Sequence, residues 1–158
     1  MFRKLSLAVA ATLIMAGAAW ADRAGGTSGV LWGAALTAVG ARLGDEARPG
    51  AADVVDAVDA GMDVLLRLGG ASVGDKTMLD AIEPFRATLR ERVEAGDDLA
   101  TAWDAAAASA EEAAAATADL RPRVGRARPL AERSLGTPDA GATSFGMVAR
   151  TLAGVLRG

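Results

Sequence analysis

Residues 97–120, DDLATAWDAAAASAEEAAAATADL, decide the fold class. Most positions from Ala105 to Ala118 are alanine. Alanine has the best helix propensity and gives up no side-chain freedom on folding. The stretch therefore reads as a helix packed closely through small side chains, not as a disordered tract. Asp97 or Asp98 can cap its start. A β-sandwich wants β-branched and aromatic residues. Here aromatics make up 4% of the chain and tyrosine is absent, although 51% of the residues are hydrophobic. The expected fold class is all-α.

The same pattern extends outward from this helix. Upstream, Met78, Leu79, Ile82, Phe85, Leu89 and Val93 recur three or four apart and predict a helix closed by Gly96. Pro84 inside it should bend the helix or delay its regular start. Residues 52–68 form another helix, with Val54, Val55, Val58, Met62, Leu65 and Leu66 on one stripe and Asp56, Asp59 and Asp63 off it, as a solvated face. Residues 28–43 and 3–22 complete the front of the chain. Downstream, residues 121–129 make a basic, proline-bounded loop, 130–135 a short helical turn, 136–141 a turn, and 142–156 the last helix. There is no internal repeat and no domain boundary, so residues 1–158 are expected to form a single domain.

Composition narrows the chemistry. Seventeen basic and 20 acidic residues give a net charge of −3, without the basic excess of a nucleic-acid binder. Without cysteine there is no disulfide framework and no thiolate zinc site. Without histidine the commonest general base and transition-metal ligand is missing. Chemistry falls to Asp, Glu, Lys, Arg, Ser or Thr, and a metal would be a hard cation such as magnesium.

The segment from Met1 to Ala21 has two readings. Arg3 and Lys4, the apolar run 5–18 and Ala19-Trp20-Ala21 resemble a secretory signal. The alternative is the first helix of the domain; the run is too short and alanine-rich for a membrane span.

Four loops carry residues suited to phosphate. Gly25-Gly26-Thr27-Ser28-Gly29 precedes a helix, where free amides, the helix dipole and two hydroxyls favour an anion. Gly74-Asp75-Lys76-Thr77 opens another helix. In it, Asp75 could be a cap, a magnesium ligand or a base, and Lys76 could meet a phosphate. Gly125-Arg126-Ala127-Arg128 offers two guanidinium groups, which bind phosphate oxygens in a planar fork. Asp139-Ala140-Gly141 is a tight turn whose acid could cap the last helix. Each taken singly also fits an ordinary cap, turn or surface loop.

Taken in order, these motifs, with Leu31-Trp32-Gly33, Met78-Leu79-Asp80, Glu132-Arg133-Ser134-Leu135-Gly136 and Ala142-Thr143-Ser144, resemble the nucleotide-binding L-type domain of dihydroxyacetone kinases. The resemblance runs from about Ala18 to the C-terminus. It implies an antiparallel helical barrel that holds ATP or ADP in loops at one end. Thr27 and Ser28 would contact phosphates. Gly69 and Met78 would border the adenine. Arg126 would reach the phosphate or ribose region, and Asp139, Ala140 and Gly141 would close the pocket. Ala140 departs from the proline usual in that trio. The family's aspartate motif, which binds magnesium, has no match here, so the domain is expected to be incomplete on its N-terminal side. The resemblance also favours Met1–Ala21 as a retained helix and a cytoplasmic protein over an exported one.

The function implied is the nucleotide component of dihydroxyacetone (glycerone) kinase. It would work with a separate substrate-binding domain or subunit, without nucleic acid or membrane, and be inactive alone. The alternatives are the ADP-carrying subunit of a phosphoenolpyruvate-dependent dihydroxyacetone phosphotransferase, or a degenerate, non-catalytic helical module.

Overall fold

A computed structural model describes residues 9–24, 26–44, 49–125 and 128–158. Among them every regular element is helical. The chain divides into two compact units, 1–70 and 71–158.

The first unit contains α1 (Val9–Ala24), α2 (Gly26–Leu43) and α3 (Ala51–Gly69). α2 packs on both α1 and α3. Gly17 faces Gly33 and Thr37, and Ala21 also faces Gly33, so α1 and α2 run antiparallel. They cross closely enough that a Cβ on Gly33 would lie 2.5 Å from the Gly17 carbonyl oxygen and 2.6 Å from Ala21 Cβ. Backbone cannot yield as a flexible side-chain tip can. Gly33→Val should therefore cost about 2 kcal/mol through overpacking, read as a lower midpoint in urea; an unchanged midpoint would contradict this crossing. α3 presents Val55, Ala57, Gly61, Met62 and Leu65 inward. Leu66, assigned to the stripe by spacing, is 42% exposed at its edge. Gly50 N–H donates to Asp53 Oδ2 at the helix start (2.7 Å), and Gly70 ends α3 in the left-handed conformation.

The second unit contains α4 (Leu79–Glu94), α5 (Leu99–Ala116), α6 (Ala131–Ser134) and α7 (Ala140–Arg157). Short 3-10 turns, Thr117–Asp119 and Arg128–Leu130, follow α5 and precede α6. α5 lies against both α4 and α7. The alanine run is a packing device: Ala102, Ala106, Ala107, Ala110 and Ala114 are all buried, and α7 answers with Ala142, Gly146, Ala149 and Ala153. Small residues on both faces let the backbones approach, and α4 buries Phe85, Leu89 and Ile82. Arg150 ties α7 to α5 by donating to Asp104 (2.6 Å) and Glu111 (2.7 Å). Asp98 caps α5 by accepting from Thr101 N–H at 2.9 Å. Hydrogen bonds from Thr101, first its backbone N–H and then its hydroxyl, hold the Asp98 carboxyl below the usual carboxylate range. The cap is therefore complete at neutral pH and is lost as pH falls through that lowered value. Pro84 sits inside α4, which nonetheless runs on to Glu94.

Candidate functional site

The residues singled out in the sequence fall into one group in each unit. In the first, Thr27 and Ser28 are exposed. They stand in the first turn of α2, which begins at Gly26, two residues ahead of the start expected near Ser28, and so takes in part of the expected glycine loop. Gly69 is the last residue of α3, and a Cβ there would lie 3.6 Å from Leu31 Cδ1. Leu31 follows Thr27 by about one helical turn. Thr27, Ser28 and Gly69 thus share one end of the α2–α3 pair.

In the second unit Met78 immediately precedes α4, and Asp139 caps α7 by accepting from Ala142 N–H at 2.8 Å. Ala140 and Gly141 are the first two residues of α7. A Cβ on Gly141 would lie 3.4 Å from Met78 Cβ and 3.5 Å from Met78 N. Met78 and the Asp139–Gly141 turn, distant in sequence, therefore adjoin. Arg126 lies outside the described residues.

A polar network holds this junction. The Asp80 carboxylate, 7% exposed, accepts from Gly74 N–H through Oδ1 and from Thr77 N–H through Oδ2 at 2.7 Å. Thr77 Oγ1 accepts from Leu79 N–H at 3.2 Å, a second bond across the same turn. Thr117 Oγ1, fully buried, donates to Ala114 O (2.6 Å) and accepts from Asp139 N–H (2.7 Å), so the end of α5 fixes the start of α7. Gly136 N–H donates to Ala118 O at 2.9 Å. Lys76 Nζ donates to Ser134 O at 2.6 Å. Asp75 closes its own turn by accepting from Ser72 N–H at 2.8 Å, and Arg123 N–H donates to its carbonyl at 3.2 Å. Both Asp75 and Lys76 are thus engaged with protein groups.

The sequence reading gave no role to Asp80, Thr117 or Ser134. Asp80 was detectable: Thr77-Met78-Leu79-Asp80 has the hydroxyl-x-x-acid spacing of a capping box. Thr117 and Ser134 carry no local signal, because their partners lie on other segments.

The carboxylates of Asp80 and Asp139 accept from backbone N–H groups, Asp80 bracing the loop ahead of α4 and Asp139 the start of α7. Among the described residues no three acidic side chains converge on a point that would hold a metal. Among the described residues, too, no helix is long and apolar enough to cross a membrane.

A family model described as the DAK2 domain matches residues 3–154. The D-erythrulose kinase of Mycolicibacterium smegmatis is 63% identical over 138 residues, 87% of this chain and 24% of that protein. The L-erythrulose kinase of Pectobacterium atrosepticum is 52% identical over 148 residues, 93% of this chain and 25% of that one. The crystal structure of the dihydroxyacetone kinase of C. freundii aligns with a TM-score of 0.63 at 31% identity, over 93% of this chain and 24% of that chain. The chain spans about a quarter of the length of these relatives.

Proposed function

Because the chain belongs to the DAK2 domain family, we propose that residues 1–158 act as one nucleotide-holding domain of a small-ketose kinase. ATP is the phosphoryl donor. The acceptor is dihydroxyacetone or, as the names of the relatives suggest, the four-carbon ketose erythrulose. The observation that carries this reading is the junction of Met78 with Asp139, Ala140 and Gly141. It gives an apolar side chain for one edge of a planar base beside backbone that can approach a ligand closely. By the resemblance, Gly69 as well as Met78 would border the adenine, Thr27 and Ser28 would meet the phosphates, and Arg126 the phosphate or ribose region. Phosphoryl transfer is mainly a matter of positioning and charge neutralisation, so a domain that only orients the nucleotide has a sufficient role. The ketose is held by a separate substrate-binding domain or subunit.

The retained N-terminal helix belongs to the same proposal. Cleavage after Ala21 would remove Gly17 and the rest of the α1 face that covers Gly33. The cytoplasm is accordingly the proposed compartment.

Titration calorimetry with ADP and ATP tests the reading. Binding is expected at a Kd of roughly 0.1 mM, little altered by magnesium. Absence of binding for both nucleotides would overturn it. Strong enhancement by magnesium would reveal a carboxylate site, with Asp75 or Asp139 the first to examine. Turnover of either ketose is expected only with a substrate-binding partner present.

A further inference from the structure

Lys76 has a backbone φ of 62°, the only positive value among the described non-glycine residues. It is also 5% exposed, and among the described residues no carboxylate lies within ion-pair distance of its ammonium. Left-handed backbone is unfavourable for a residue with a Cβ. A buried ammonium without a counter-charge is unfavourable again. Glycine would relieve the first cost and methionine the second. Strain of this kind persists where the surrounding structure requires it, commonly at functional sites.

What Lys76 gains is one connection. Its Nζ donates to the carbonyl of Ser134, at the end of α6. From Lys76 the chain passes through Thr77 to Met78; from Ser134 it passes through the Gly136 turn to Asp139 and Gly141. The ammonium therefore bridges the two segments at Lys76 and Ser134, and they adjoin again further along, at Met78 and Gly141. We propose that Lys76 is a positioning residue that sets the spacing between Met78 and the Asp139–Gly141 turn, and so the width of the slot for the nucleotide base. The proposal rests on the nucleotide reading above. It differs from a phosphate contact because the bond is made to protein.

The test uses the whole chain with Lys76→Met and Lys76→Arg. Methionine keeps the aliphatic volume and removes the charge, so the melting temperature should stay within about 3 °C of the parent. Amide exchange over residues 134–142 should accelerate about tenfold while α4 and α5 keep their protection. The Kd for ADP should weaken about tenfold, with partial recovery in Lys76→Arg. Arg150→Met, which loses the α5–α7 ion pairs, should melt earlier and leave the ADP Kd unchanged. Parent-like exchange over 134–142 in Lys76→Met would overturn the proposal, as would accelerated exchange with unaltered ADP affinity. Failure of the parent chain to bind ADP would sink the nucleotide reading instead, while the exchange data would still decide whether Lys76 couples the two segments.

Discussion

Phe85→Ala is expected to remove about 4 kcal/mol of stability. Phe85 is 1% exposed. Its ring meets Trp103 edge-on with centroids 4.8 Å apart, and Phe145 likewise at 5.3 Å. Cavity cost depends on how far the surroundings can collapse. Here they cannot collapse far: the buried positions of α5 and α7 are mostly alanine, which has no longer rotamer to swing in. Trp103 is pinned by its own Nε1–H bond to the Ala149 carbonyl at 2.9 Å. Chemical denaturation reads the loss directly, and a fall of roughly 10 °C in Tm should accompany it. A loss below about 1 kcal/mol would mean that the aromatic trio is not the keystone of this core.

Asp80→Ala should be the second largest change, about 3 kcal/mol, and should also weaken nucleotide binding. Hydrogen bonds to a charged acceptor are each worth about 1.5–3 kcal/mol, and Asp80 accepts two from backbone amides. Asp80→Asn sharpens the test. It matches the shape, but one of its two terminal atoms is an NH₂ group, which would face a backbone N–H, donor against donor. It should lose about 2 kcal/mol despite near-identical volume. Because Asp80 holds Gly74 and Thr77 around Met78, ADP affinity should fall about tenfold in both variants. Stability and affinity unchanged in Asp80→Asn would show that the loop does not depend on this carboxylate.

The helices were legible because their determinants are local. Caps and apolar spacing act over three or four residues, and they placed α3, α4, α5 and α7 within a few residues of their observed ends. Asp98 and Asp139, both named as possible caps, do cap α5 and α7. The errors arose where two local signals competed. Gly25–Gly29 reads as a glycine loop with a helix starting near Ser28, because glycine and serine are turn residues, yet α2 begins at Gly26 and takes Thr27 into its first turn. Leu66 fits the stripe by period, but it stands at the stripe's edge and is 42% exposed.

By itself the sequence determined an alanine-rich, all-helical chain with capped helices, and through resemblance it offered Thr27, Ser28, Gly69, Met78, Arg126, Asp139, Ala140 and Gly141 as candidate nucleotide contacts. It could not determine that Met78 touches Gly141, that Thr117 bridges α5 to the start of α7, or that Asp80 clamps the loop ahead of α4. Those facts depend on contacts between segments far apart in the chain, where no short-range rule applies. Lys76 shows the limit most clearly. Local propensity and burial rules both argue against a lysine that is left-handed and enclosed. Only the tertiary structure, by bringing the Ser134 carbonyl to 2.6 Å from its ammonium, supplies the interaction that outweighs them.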